Sequence, residues 1–271
     1  MNRRPRIGLV LGAGASLGFA HIGALKVLEK EKIKIDLIAG CSMGAIIGGC
    51  YALGAKPSIM EEKALELSRS DIVDIKIPNR FGFVKGDRAE KVVRKFLGSE
   101  KDKELTFKDC KIPFGCVATD IYDAKLVNLT EGAIIPAIRA SFSIGAIFWP
   151  VNIDGKNLLD GGILCRVPVN LAKKMGADIV IAIDCIGKTR PVEENSISRY
   201  FDTINRIFYM MDYEVSKKEI SKADVLIDIN QQDIRSIDLK NVDKSIKYGE
   251  EAMKLAIPKI KEVIKNFSKK L

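Results

Sequence analysis

The stretch Ile35-Asp36-Leu37-Ile38-Ala39-Gly40-Cys41-Ser42-Met43-Gly44-Ala45-Ile46-Ile47 decides how the rest of the chain reads. A short apolar run enters Gly40-Cys41-Ser42-Met43-Gly44, and an apolar, helix-compatible run leaves it with no spacer. Strand, tight turn and helix in that order form the setting of a nucleophile elbow, in which the central serine is pushed out at the top of a sheet. Gly40 and Gly44 suit the flanks, because a Cβ there would strike the neighbouring strand or helix. Ser42 is therefore the candidate nucleophile for acyl transfer.

The five-residue pattern alone is weak evidence. With 22 glycines in 271 residues, chance supplies roughly 0.1 copies per chain, and this chain holds two. The second is Gly14-Ala15-Ser16-Leu17-Gly18. Its apolar run stops at Leu11, and Gly12-Ala13-Gly14-Ala15 intervene before Ser16. An elbow has no room for that loop, so Ser42 rather than Ser16 is the elbow serine. The Gly-rich turn suits another task. Successive unpaired N–H groups at a helix start make a nest for negative charge, so Gly12, Gly14 and Ala15 are candidate oxyanion donors. A dinucleotide pyrophosphate would also fit such a turn. A dinucleotide fold, however, wants an acidic residue at the end of the next strand; here Asp36 begins that strand and the elbow ends it.

A serine nucleophile needs a base. The chain has one histidine, His21, which helical spacing places inside the first helix between Ala20 and Ile22. Without His21 as base, no Ser-His-Asp triad can exist. A carboxylate held in a dry site can serve instead, since burial raises its pKa and strengthens it as a base. Asp160 is the best candidate: it ends the apolar pair Leu158-Leu159 and precedes Gly161-Gly162, where backbone can come close. Asp120, in Ala118-Thr119-Asp120, reads as a structural turn residue.

At 271 residues and 47% hydrophobic content the chain supports a sizeable core,. No polar tract or Gly/Ser-rich linker divides it, so a single domain over 1–271 is expected. The net charge is +9, with Arg3, Arg4 and Arg6 at one end and Lys259, Lys261, Lys265, Lys269 and Lys270 at the other. That excess suits solubility or weak contact with an anionic membrane. It does not suit nucleic acid, because the basic residues are not interleaved with stacking aromatics. Six cysteines form no CxxC pair, which argues against a zinc site and for reduced thiols in a cytoplasm. No metal or cofactor is expected. The basic start followed by an apolar run imitates a signal peptide, but the run continues into a charged helix. No stretch of 18 apolar residues free of charge and Gly clusters occurs, so no membrane span is expected.

Strand patterns over 6–11, 36–39, 113–118, 125–129, 177–184 and 225–229 alternate with helical patterns over 19–32, 59–67, 89–97, 132–140, 198–220 and 241–266,. That alternation predicts an α/β fold with a three-layer arrangement: a mostly parallel central sheet covered by helices on both faces, with ligand at the carboxyl ends of the strands. Residues 71–86 read as irregular, with Phe81 and Phe83 among Lys76, Arg80 and Lys85, a composition suited to contact with anionic lipid.

Taken together, the turn of residues 12–18 followed by Ala20-His21-Ile22-Gly23, the Gly40–Gly44 elbow, Ala118-Thr119-Asp120, Ile138-Arg139-Ala140-Ser141, and Asp160-Gly161-Gly162 followed by Pro168-Val169 resemble the patatin-like phospholipases. The small bacterial members related to neuropathy target esterase are the most similar in pattern. The resemblance covers about residues 6–230. It implies a Ser–Asp dyad without histidine acting on lipid acyl esters, which agrees with the missing histidine. Two places depart from the family's pattern: Leu17 stands where Arg or Lys is usual, and Cys165 where Asn is frequent. The expected function is cleavage of carboxylic esters of membrane phospholipids or lysophospholipids. The alternative, motivated by Leu17, is a catalytically weak lipid-binding or regulatory member.

Overall fold

The computed structural model describes residues 3–68, 75–79, 82–84, 87–96, 104–145, 147–187, 199–234 and 239–269. Its centre is an eight-stranded sheet. In chain order the strands are β1 (Ile7–Leu11), β2 (Leu37–Gly40), β5 (Phe114–Asp120), β6 (Lys125–Leu129), β7 (Val151–Ile153), β8 (Lys156–Asp160), β9 (Ile179–Asp184) and β10 (Val225–Asp228). They lie in the order β10-β9-β1-β2-β5-β8-β7, with β6 also paired to β5. The neighbours from β10 through β5 are parallel, whereas β6 and β8 run antiparallel to β5 and β7 antiparallel to β8. The sheet is thus mixed, parallel in one part and antiparallel at one end.

Side-chain alternation divides the core. Leu9, Leu11, Ile38, Cys116, Ala118, Ile181 and Ile183 point to one face, packed with α1 (Ala20–Lys30), α2 (Met43–Leu53), α5 (Ile134–Ser141) and α8 (Val242–Lys269). Val10, Leu37, Ala39, Val117, Val180 and Ala182 point to the other, against α6 (Val169–Lys174) and the end of α7 (Arg199–Ile220). Both faces of the parallel strands are apolar, which is why those strands read as unbroken hydrophobic runs rather than alternating ones.

Helix α3 (Pro57–Leu65) starts with Pro57 in its first turn, a place where the missing N–H costs nothing,. Helix α4 (Asp87–Phe96) follows a two-stranded antiparallel ribbon of β3 (Ile75–Asn79) and β4 (Gly82–Val84). Part of the stretch read as irregular is therefore a hairpin. Phe81 and the side chain of Phe83 lie outside the described residues, and so does the membrane contact expected there. Among the described residues no helix is long and apolar enough to cross a membrane.

Candidate active site

The elbow forms as its glycines demand. Ser42 sits at φ 54°, ψ −121°, between the end of β2 and the start of α2. A left-handed φ on a residue with a Cβ is strained, and such strain persists only where the surroundings enforce it. The enforcement is close packing. A Cβ on Gly44 would lie 2.0 Å from the Leu11 carbonyl oxygen, and one on Gly40 would lie 2.7 Å from Ala45 Cα. With no room for either, β2, the turn and α2 are pressed onto β1. The Ser42 N–H donates to Ser141 Oγ at 3.1 Å, which fixes the turn to the end of α5.

Strand β5 explains how Asp160 reaches Ser42. Cys116 pairs with Gly40 on one edge and with Leu129 on the other; Ala118 pairs with Val127 and with Asp160. A strand has two edges, and β6 fills one of them over this length. So β2 and β8 share the second edge. β2 stops at the elbow, and β8 arrives antiparallel in the space it vacates. Asp160 therefore ends its strand where Ser42 leaves its own. The Ser42 hydroxyl donates to Asp160 Oδ2 at 2.7 Å.

The carboxylate is held from three directions. Its Oδ1 accepts the Gly162 N–H at 2.7 Å and faces Cys41 Sγ at 3.9 Å. Its own N–H donates to the Ser143 carbonyl at 2.8 Å. Ser143 in turn is bonded to the Arg139 guanidinium and to the Arg139 carbonyl, while that guanidinium stacks over Phe142 and Phe148 at 5.2 and 5.1 Å. Ser42 is 5% exposed and Asp160 7%. Burial pushes the Asp160 carboxyl up to about 6, against the pull of the Ser42 hydroxyl and the Gly162 N–H. Asp212 on α7 adds to the rise. Asp160 thus combines a base stronger than a solvated aspartate with ionisation at neutral pH.

The turn of residues 12–18 runs alongside. The Gly12 N–H donates to the Ile183 carbonyl at 3.0 Å and the Ala13 N–H to the Arg166 carbonyl at 2.8 Å. Gly12 was expected as an oxyanion donor, but its N–H is already engaged by the sheet. Gly14 and Ala15 make no such backbone bond among the described residues, and Ala15 has φ 46°. Ser16 lies in a short 3-10 turn, Ala15–Phe19, not at a strand end. His21 is wholly buried, and its Nε2 donates to the Gly12 carbonyl at 2.8 Å. Burial drives its imidazole down to about 4, so it is neutral and serves as an anchor for the turn. Asp120 accepts from the N–H groups of Tyr122 and Asp123 at 3.1 and 3.4 Å, and closes its own turn.

The family model for patatin-like phospholipase matches residues 9–173. The chain belongs to the patatin-like phospholipase family. An NTE family protein of Mycobacterium tuberculosis is 32% identical over 208 residues, covering 74% of this chain and 56% of that protein. The lysophospholipase nte1 of Emericella nidulans is 29% identical over 212 residues, covering 76% of this chain and 13% of that protein. The chain thus spans about half the length of the first relative and far less of the second. Among solved structures, VipD from Legionella pneumophila aligns with a TM-score of 0.52 at 13% identity, over 94% of this chain and 67% of that one; the likeness is one of fold.

In this patatin-like phospholipase the matched residues hold the turn, the elbow, Ser141 and Asp160. Support also comes from beyond them. Gln231 Nε2 and Ser245 Oγ lie 3.0 Å from the Leu17 carbonyl, and Ser245 Oγ lies 2.7 Å from Gln231 Oε1. The Leu17 side chain is fully buried in the core on the α1 side. Sequence reasoning did not assign roles to Ser141, Ser143, Gln231 or Ser245. Ser141 closes the Ile138-Arg139-Ala140-Ser141 motif and was within reach. Gln231 and Ser245 carry no local signal.

Proposed function

We propose that this chain is a serine acyl hydrolase that cleaves carboxylic esters of phospholipids or lysophospholipids through a Ser42–Asp160 dyad. The hydrogen bond from the Ser42 hydroxyl to Asp160 Oδ2, in a site nearly closed to water, carries the proposal. Oδ1 is engaged by Gly162, so Oδ2 is the oxygen that takes the serine proton. As Ser42 Oγ bonds to the ester carbonyl carbon, its proton passes to Asp160 and the carbonyl oxygen becomes an oxyanion. In this reading the N–H groups of Gly14 and Ala15, at the start of the 3-10 turn, receive that charge,. The C–O bond to the glycerol side then breaks, the proton returns to the departing alkoxide, and an acyl-Ser42 remains. Water attacks the acyl carbon, gives its proton to Asp160, and fatty acid leaves as Ser42 is restored. The family membership and the lysophospholipase among the relatives support lipid as the acyl donor.

The test is labelling by a fluorophosphonate alongside hydrolysis of a short p-nitrophenyl ester. Wild type and Ser16→Ala become labelled and hydrolyse the ester. Ser42→Ala keeps its circular dichroism spectrum, takes no label and loses several orders of magnitude in rate. A folded Ser42→Ala protein that still labels overturns the assignment.

A further inference from the structure

We infer that the catalytic end of the molecule docks directly onto a phospholipid bilayer through an arm, the first half of α7, by the exposed apolar face of Ile207, Met210 and Met211. The lipid-ester reading above supplies the choice of occupant. The arm itself follows from topology. β9 and β10 are parallel neighbours, so α7 between them must run from the carboxyl edge of the sheet back to its amino edge. Its far end fits this, since Asp224 just beyond it bonds the backbone of Val180 near the start of β9. Asp212 marks the level of the carboxyl edge. Buried Arg166 bridges it at 3.2 Å to Asp184, the last residue of β9, at 2.6 Å. The part of the helix before Asp212 begins at Arg199, and at ~1.5 Å per residue it reaches about 20 Å past that edge. This is the edge that carries Ser42 and Asp160.

Three large apolar side chains of this part of the helix meet solvent. Ile207, Met210 and Met211 are 50%, 60% and 59% exposed, and their spacing puts them on one helix face. The loops at the same edge match them. Ile163 ends the short turn after Asp160, and Ile144 follows the Ser143 that holds the Asp160 N–H; with Ile147 they are 38–47% exposed. Six large apolar side chains therefore stand exposed at the edge that carries Ser42 and Asp160. A protein partner would be met by Trp, Tyr and Arg anchors, and none of the six is of that kind. Acyl chains suit Ile and Met.

The experiment is co-sedimentation with phosphatidylcholine vesicles, using Ser42→Ala protein so that no hydrolysis disturbs the membrane. The parent binds. Adding Ile207→Ser, Met210→Ser and Met211→Ser weakens partitioning roughly tenfold or more, with circular dichroism unchanged. With Ser42 intact, the triple variant still cleaves a soluble short ester. If the lipid-ester reading fails, neither protein releases fatty acid from lipid, yet sedimentation still reads the docking. Equal binding of parent and triple variant overturns the inference. So does a parent that ignores vesicles but forms a dimer lost in the variant, which would give the face to a second copy of the chain. Should the triple variant misfold, single tryptophan reporters on a Trp149→Phe background decide. Emission from Met211→Trp blue-shifts on vesicles, whereas Leu255→Trp, on α8 and 83% exposed, does not shift; no shift at Met211→Trp overturns the proposal.

Discussion

Asp160 carries opposing demands. Its carboxyl is raised from an ordinary 3.8 to about 6 by burial, which means that the folded protein binds a proton there more tightly than the unfolded chain. The contribution to stability is present below about pH 4 and is lost as pH rises through 6; at pH 8 the buried charge costs on the order of 3 kcal/mol at most. Activity runs the other way, because only the ionised form can take the Ser42 proton. Ester hydrolysis is expected to rise with pH around a midpoint near 6. Asp160→Asn removes the charge and the base together. It is expected to abolish single-turnover acylation and to raise the melting temperature at pH 8. Acylation within about tenfold of wild type, ~1.4 kcal/mol in barrier, would assign the base elsewhere. His21 makes the contrast. It bonds the Gly12 carbonyl rather than the serine, so His21→Gln keeps most of the activity. His21→Ala loses a buried ring and a hydrogen bond, about 2–4 kcal/mol by denaturant unfolding. A loss of about 10³-fold in rate for a folded His21→Gln protein would instead make His21 a base.

At the scale of elements, the contact between α1 and α8 holds the turn in place. Gly23 and Gly249 let the two backbones touch. A Cβ on Gly23 would fall 2.0 Å from the Ile246 carbonyl oxygen, and one on Gly249 would fall 1.8 Å from that of Ala20. Neither obstacle is a flexible side chain. Gly249→Ala must therefore push α8 outward along its length, and Ser245, one turn earlier, moves away from the Leu17 carbonyl. Expected is a loss of about 1–3 kcal/mol together with a fall in kcat for the short ester, measured by chemical denaturation and steady-state kinetics. An unchanged kcat in the destabilised variant would separate α8 from the oxyanion turn.

For the whole molecule, the family match ends at residue 173 but the site does not. Asp212 on α7, Gln231 after β10 and Ser245 on α8 all reach back to it. A chain ended after residue 234 lacks α8 and leaves the outer face of α1 uncovered, with Val242, Ile246, Met253, Ile257 and Ile260 gone from the core. It is expected to bind a hydrophobic dye, to lose its cooperative thermal transition and to lose ester hydrolysis. A truncated protein that melts cooperatively and hydrolyses the ester would show the matched segment to be self-sufficient.

The elbow, the Gly-rich turn and the lone histidine were legible because each is a local statement. Gly40-Cys41-Ser42-Met43-Gly44 between an apolar run and a helix permits one backbone path. The parallel strands were legible for the same reason, being apolar on both faces. The β7–β8 hairpin at the antiparallel end was not. Asp154 and Gly155, both at positive φ, make the tight turn between β7 and β8, and an Asp-Gly pair is a hairpin signal, yet it joins short strands too polar to stand out. Asp160 was named from its strand end and its glycines. That it touches Ser42 depends on β2 and β8 sharing one edge of β5, and no residue records that. The supports are further still from local pattern: Ser141 under the Ser42 N–H, Ser143 under Asp160, Gln231 and Ser245 under Leu17. A serine or glutamine that makes one or two hydrogen bonds inside a core looks like any other in sequence. The sequence by itself determined the elbow around Ser42, the single histidine and the alternating fold, because these follow from residue type and spacing. Only the tertiary structure decided which carboxylate oxygen meets the serine, what engages the Gly12 N–H and which distant side chains hold the Leu17 carbonyl, because those depend on where distant segments meet.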